Sequence, residues 1–140
     1  MRTLHLGLRV AHLDRSLAFY TAVGYEVVGS VPGTPIGHLT MLKLPDDEFV
    51  TLELVHDGEP VERGTDVSHL VVKVESMAGT LDALAGHGIK PVGQGHEGED
   101  GPLTAFIIDP DDRRIELVQW PPGHPDGMTR ADFEEGRSHG

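Results

Sequence analysis

The chain has 140 residues, 38% hydrophobic and 24% charged, the balance of an ordinary globular domain rather than a disordered tract. Zero cysteines exclude a disulfide scaffold, an iron–sulfur cluster and a thiol nucleophile, and no apolar run approaches the roughly 18 to 20 residues of a membrane span. With 11 basic against 23 acidic residues the formal charge is −12, which argues against nucleic acid and other polyanions as partners.

The opening residues, Met1-Arg2-Thr3-Leu4-His5, enter an alternating pattern directly, with no signal-peptide apolar segment, so a cytoplasmic protein is expected. Over residues 3–11, Leu4, Leu6, Leu8 and Val10 share one face and Thr3, His5, Gly7 and Arg9 the other. That period belongs to a strand with two chemically different faces, the aliphatic one packing under a helix. Asp14 then offers an N-cap, and Leu13, Leu17, Tyr20 and Val23 keep helical spacing until Gly24. Strands are expected over 25–31, 36–44 and 49–56, divided by Pro32-Gly33-Thr34-Pro35 and Pro45-Asp46-Asp47 turns. Residues 57–66 read as a linker. The second half opens with a strand over 67–75 and a helix from Ser76, with Met77, Leu81, Leu84 and Ala85 on its apolar side and Gly86 and Gly88 as its stop. Strands follow over 89–93, 103–109 and 114–120, with a glycine-rich acidic loop from Gly93 to Pro102. A Pro/Gly-rich tail occupies 121–140, in which Thr129 to Glu135 reads as one short helical segment.

The chain is an imperfect repeat. A shift of 64 positions superposes His5 on His69, Leu6 on Leu70, Leu8 on Val72, Leu17 on Leu81, Gly24 on Gly88 and Gly29 on Gly93. Near the module ends the offset slips to 63, and Leu52-Glu53-Leu54 falls on Ile115-Glu116-Leu117. Each half is therefore a βαβββ module, residues 1–56 and 67–120, too small to bury both faces of its sheet alone. The fold class expected is α+β, two modules making one domain with a cupped mixed sheet.

Alternation puts His5 and His69 opposite the aliphatic rows of their strands, and Glu53 and Glu116 likewise. One such residue on a strand is ordinarily a surface group, but the symmetric recurrence of all four makes them candidates. If the modules face one another, two imidazole nitrogens and two carboxylate oxygens converge on the pseudo-twofold axis. That donor set suits a divalent transition metal, Ni, Zn, Co, Fe or Mn, with positions left for water or substrate oxygens. Arg9 shares the face of His5 and either binds a substrate anion or pairs with a carboxylate. The other histidines (His12, His38, His56, His87, His96, His124 and His139) lack this symmetry and read as surface or loop residues.

From residue 1 to about Trp120 the chain resembles the vicinal oxygen chelate superfamily, and within it the small bacterial glyoxalase I, or lactoylglutathione lyase. The resemblance is carried by Met1 to Val10, Asp14-Arg15-Ser16-Leu17-Ala18-Phe19-Tyr20, Leu52-Glu53-Leu54, Ser68-His69-Leu70 and Asp109-Pro110-Asp111 leading into Ile115-Glu116-Leu117. It implies a metal held by His5, Glu53, His69 and Glu116, and a homodimer, often with each site built by modules of both subunits. The reaction it implies is isomerisation of a 2-oxoaldehyde–thiol hemithioacetal to a 2-hydroxyacyl thioester through an enediolate. Glu116 is the expected base and Glu53 its symmetry-related partner. Two other outcomes belong to the same superfamily: a different enzyme, such as an extradiol dioxygenase or an acyl-CoA epimerase, or a metal-free protein of the bleomycin resistance kind that sequesters an antibiotic.

The chain also departs from small glyoxalases. Where they carry a glutathione-contacting Asn shortly after the first Glu, it has His56-Asp57; where they have a lysine- and glycine-rich loop, it has His96-Glu97-Gly98-Glu99-Asp100. Both changes are repulsive toward the two carboxylates of glutathione, so another thiol is an open expectation.

Overall fold

The computed structural model describes residues 1–64, 66–93 and 101–134. The chain runs β1 (Leu6–Arg9), α1 (Leu13–Val23), β2 (Glu26–Thr34), β3 (Gly37–Lys43), β4 (Leu52–His56), β5 (His69–Lys73), α2 (Met77–Ala85), β6 (Leu103–Ile108) and β7 (Arg114–Gln119). A short 3-10 helix, Arg130–Phe133, follows in the tail. The fold is α+β. It divides into two compact units, Met1–Asp66 with Asp109–Asp111, and Val67–Ile108 with Asp112–Gly140.

The first unit holds a four-stranded sheet in the order β1-β4-β3-β2, with β1 parallel to β4 and the other pairs antiparallel. Leu8, Val10, Phe19, Tyr20, Tyr25, Leu42, Leu52, Leu54 and Val55 are its buried apolar residues. Removing each such leucine from water contributes about 2 kcal/mol. Tyr20 meets Phe19 and Tyr25 edge-on, at centroid distances of 5.1 and 5.8 Å. Its hydroxyl donates to Asp109 Oδ2 at 2.7 Å, and Asp109 Oδ1 in turn accepts from the Asp111 N–H at 2.9 Å. A buried phenol and a buried carboxylate thus satisfy each other.

The second unit has a three-stranded sheet in the order β5-β7-β6, with β5 parallel and β6 antiparallel to β7. Helix α2 contacts β6 and β7, and Met77, Leu84, Ala105, Ile107, Ile115 and Leu117 are buried. The helix expected from Ser76 begins at Met77, with Ser76 as its N-cap, its Oγ accepting from the Gly79 N–H at 3.1 Å.

Five local expectations are corrected. Helix α1 begins at Leu13 with His12 as N-cap; Asp14 sits inside the first turn, where its charge still faces the free N–H groups. Strand β2 continues through Pro32 and Gly33, and the hairpin turns at Thr34–Gly37. There the Thr34 hydroxyl donates to the Gly37 carbonyl at 2.6 Å and accepts from the Ile36 N–H at 3.3 Å, fixing the turn two residues later. The strand expected over 89–93 shrinks to a single bridge between Val92 and Phe106, because Pro91 has no N–H to extend a ladder. Leu4 and Leu6 are exposed, so only Leu8 and Val10 of the expected aliphatic row are buried; β1 starts at Leu6, leaving Leu4 outside the sheet. The helical expectation in the tail narrows to Arg130–Phe133, with Glu135 outside the described residues. The expected loop from Gly93 to Pro102 falls mostly outside them too. No helix among the described residues is long and apolar enough to cross a membrane.

Candidate metal and substrate site

The parallel pairing of β1 with β4 sets Gly7 opposite Glu53 and leaves His5 two residues earlier, just outside β1. From there His5 Nε2 lies 2.9 Å from Glu53 Oε2. Glu53 is buried at 8% exposure, for Leu52 to Val55 are all buried and the polar face expected of β4 is not solvated. In the second unit β5 pairs parallel with β7, Val71 opposite Glu116, and His69 again stands two residues earlier. Its Nε2 lies 3.5 Å from Glu116 Oε1. The same strand arithmetic thus produces one His–Glu pair in each unit. Among the described residues, no group of three or more His, Asp or Glu side chains is gathered to hold a single ion.

The two pairs differ in their surroundings. His69 Nδ1 lies 3.0 Å from Ser68 Oγ, within hydrogen-bond reach of that hydroxyl. The ring also meets Phe106 edge-on at 6.4 Å, and the Arg114 guanidinium lies 5.8 Å over that phenyl. Phe106 does not stand out in sequence, since no periodicity marks it as anything but a strand residue of β6.

Arg9 resolves toward a carboxylate. Its Nη2 donates to Asp57 Oδ2 at 2.6 Å, while Asp57 Oδ1 accepts from the Glu59 N–H at 2.9 Å. The Glu59 N–H, followed by the Arg9 guanidinium, holds the Asp57 carboxyl below the usual carboxylate range.

Among the remaining histidines, His38 and His56 are register partners on β3 and β4 rather than loop residues. His124 is a correction as well: it stacks on Trp120 at 4.2 Å, and its Nε2 lies 2.7 Å from the buried Asp132. A Pro/Gly-rich composition hides such a packed histidine. His12 and His87 are exposed as expected, while His96 and His139 lie outside the described residues.

Against known proteins, residues 2–117 match the model of the Glyoxalase/Bleomycin resistance protein/Dioxygenase superfamily. The chain belongs to that superfamily. It is 30% identical over 130 residues to a probable lactoylglutathione lyase of Synechocystis sp., covering 85% of this chain and 95% of that one. The trypanothione-dependent glyoxalase I of Leishmania major is a structural neighbour with a TM-score of 0.68 and 26% identity, over 85% of this chain and 86% of its own. The antibiotic-binding protein TnmS3 from Streptomyces sp. CB03234 shares the glyoxalase-like fold, with a TM-score of 0.70 at 20% identity over 86% and 98% of the two chains.

Proposed function

We propose that this glyoxalase-family chain is a metal-dependent, glyoxalase I-like isomerase acting on the hemithioacetal of a 2-oxoaldehyde and a thiol. The observation that carries the reading is the pair of His–Glu contacts, His5 with Glu53 and His69 with Glu116, generated by identical strand offsets in two repeated units. The donors fit a borderline divalent transition metal, Ni, Zn, Co, Fe or Mn: imidazole nitrogens and carboxylate oxygens, each nitrogen turned toward its carboxylate. His5, Glu53, His69 and Glu116 would hold it, in a homodimer that lets pairs from two copies complete each four-ligand site. When bound, the ion supplies Lewis-acid stabilisation of negative charge on two neighbouring substrate oxygens.

The protein's own task is proton transfer. Glu116 removes the proton from the carbon bearing sulfur, and the electron pair moves into an enediolate. The same carboxyl then delivers the proton to the adjacent carbon while the hydroxyl proton passes to the neighbouring oxygen, leaving a thioester carbonyl beside a secondary hydroxyl. The step is a balanced isomerisation with no external oxidant or reductant. Glu53 is the symmetry-related carboxylate and serves the opposite face.

The test pairs elemental analysis with turnover. Wild-type protein is expected to carry stoichiometric transition metal and to convert methylglyoxal hemithioacetals of at least one thiol. Glu116→Gln is expected to retain most of the metal and lose at least about a hundredfold in kcat. Metal-free wild type, or full activity in the variant, overturns the reading.

A further inference from the structure

Beyond residue 117, where the family match ends, the chain after β7 forms a strap tied to its own unit by polar contacts. The Trp120 indole N–H donates to the Asp126 carbonyl at 2.9 Å. Lys73 on β5 donates to Asp126 Oδ1 at 2.7 Å and to Glu75 Oε1 at 2.8 Å. The hydrogen bond to Asp126 holds the Lys73 ammonium above the usual lysine range, and the same bond holds Asp126 below the carboxylate range. This tie therefore keeps its charges between about pH 5 and 9. Lys73 lies four residues beyond His69, on the same face of β5.

His124 sits within the strap with its side chain only 12% exposed. Its ring stacks on Trp120 with centroids 4.2 Å apart and planes 15° from parallel. Each ring nitrogen meets an oxygen: Nδ1 the Pro125 carbonyl at 2.6 Å, and Nε2 the Asp132 Oδ1 at 2.7 Å. A carbonyl oxygen only accepts, and so does an ionised carboxylate. Asp132 is buried, and its other oxygen, Oδ2, accepts from the Thr129 N–H at 2.9 Å, which favours the ionised form. A neutral imidazole has a single N–H and would set its lone pair against one of these oxygens. The imidazolium donates to both. The charged groups around the ring are thus Asp132 on the 3-10 helix and, through the indole N–H, Asp126 with its partners Lys73 and Glu75.

We infer that His124 is a pH-operated latch: as the imidazolium it clasps the 3-10 helix Arg130–Phe133 and stacks on Trp120, and its deprotonation frees that helix and the indole face. The closed form binds one proton more than the open one. Closure is therefore complete below about pH 6.5, the ordinary histidine value, and is lost as pH rises through the transition of the clasped ring. In acid, protonation of Asp132 removes the same acceptor, so the latch holds between the two events. The Lys73–Asp126 tie does not titrate in this range, so the opened segment stays hinged at Asp126. The latch is independent of the reaction proposed above.

Trp120 is the single tryptophan of the chain, so its fluorescence reports on the latch alone. A protonated imidazole in contact with an indole quenches its emission. The full chain, titrated from about pH 5 to 9, is expected to brighten about twofold, with a midpoint above the ordinary histidine value of about 6.5. Hydrogen exchange of residues 129–133, corrected for the intrinsic pH dependence, is expected to lose about tenfold in protection across the same transition. His124→Gln should remove the step from both readouts, and Asp132→Asn should move the midpoint down by about one pH unit. The wild-type midpoint is decisive without any variant. No step, a midpoint at or below about 6.5, or protection of 129–133 that stays constant while the emission changes overturns the inference. So does a step that persists in His124→Gln, or a midpoint unmoved in Asp132→Asn.

Discussion

Replacing Gly29, Gly33 and Gly37 by alanine, one at a time, separates backbone conformation from available space within a single hairpin. At Gly29, beside a register shift in the ladder, an added Cβ meets nothing within 4 Å and φ is outside the left-handed region, so stability should stay within about 0.5 kcal/mol of wild type. At Gly33 the space is equally open but φ is +70°, and the conformational cost alone should be about 1 kcal/mol. At Gly37 the conformation is glycine-only and the Cβ would stand 2.8 Å from the carbonyl oxygen of His56, which belongs to the backbone of β4 and cannot rotate away. Strain and displacement together should reach about 3 kcal/mol. Urea unfolding with a slope of about 2 kcal/mol per molar turns these values into midpoint shifts of about 0.2, 0.5 and 1.5 M. Three equal shifts, or a Gly37→Ala midpoint within 0.3 M or so of wild type, would refute the reasoning.

Tyr20→Phe keeps the ring contacts to Phe19 and Tyr25 but removes the donor to buried Asp109, and should cost about 2 kcal/mol in the same assay; a change under about 0.5 would mean the carboxylate finds another donor. Burial first, and the Asp47 carboxylate second, push the Tyr25 phenol up to about 12. A raised value means that the folded state keeps its proton longer, so this contribution is complete below about pH 10 and disappears as pH rises toward 12. Unfolding free energies measured across that window should fall by up to about 2 kcal/mol more in wild type than in Tyr25→Phe, and parallel curves would contradict the assignment.

Much of this architecture is legible in the amino-acid order, for identifiable reasons. Ser76 before an apolar helical stretch can serve as a cap because its hydroxyl reaches only the N–H groups of the next turn, and it does so at Gly79. The two His–Glu pairs were traceable because a repeat transmits equal strand offsets, whatever the intervening loops do. Long-range partners were not traceable in this way. Nothing local links Tyr20 to Asp109 across 89 positions, or selects Asp57 rather than another of the 23 acidic residues as the partner of Arg9. Those choices depend on sheet register, which pairs β1 with β4 in parallel and so brings residue 57 beside residue 9. Turn chemistry misled at Pro32-Gly33, where the sequence carries strong breakers but the Thr34 hydroxyl supplies the hydrogen bonds that decide where the chain reverses.

The three residues Asp109–Asp111 belong with the first unit although they fall between β6 and β7 of the second. During synthesis, therefore, the hydrogen bond from the Tyr20 hydroxyl to Asp109 waits until residue 109 has left the ribosome. A gene cut between the repeats would yield an N-terminal fragment that lacks the Tyr20–Asp109 hydrogen bond. Duplication gave the chain two look-alike halves, but this short acidic segment makes their maturation a joint event.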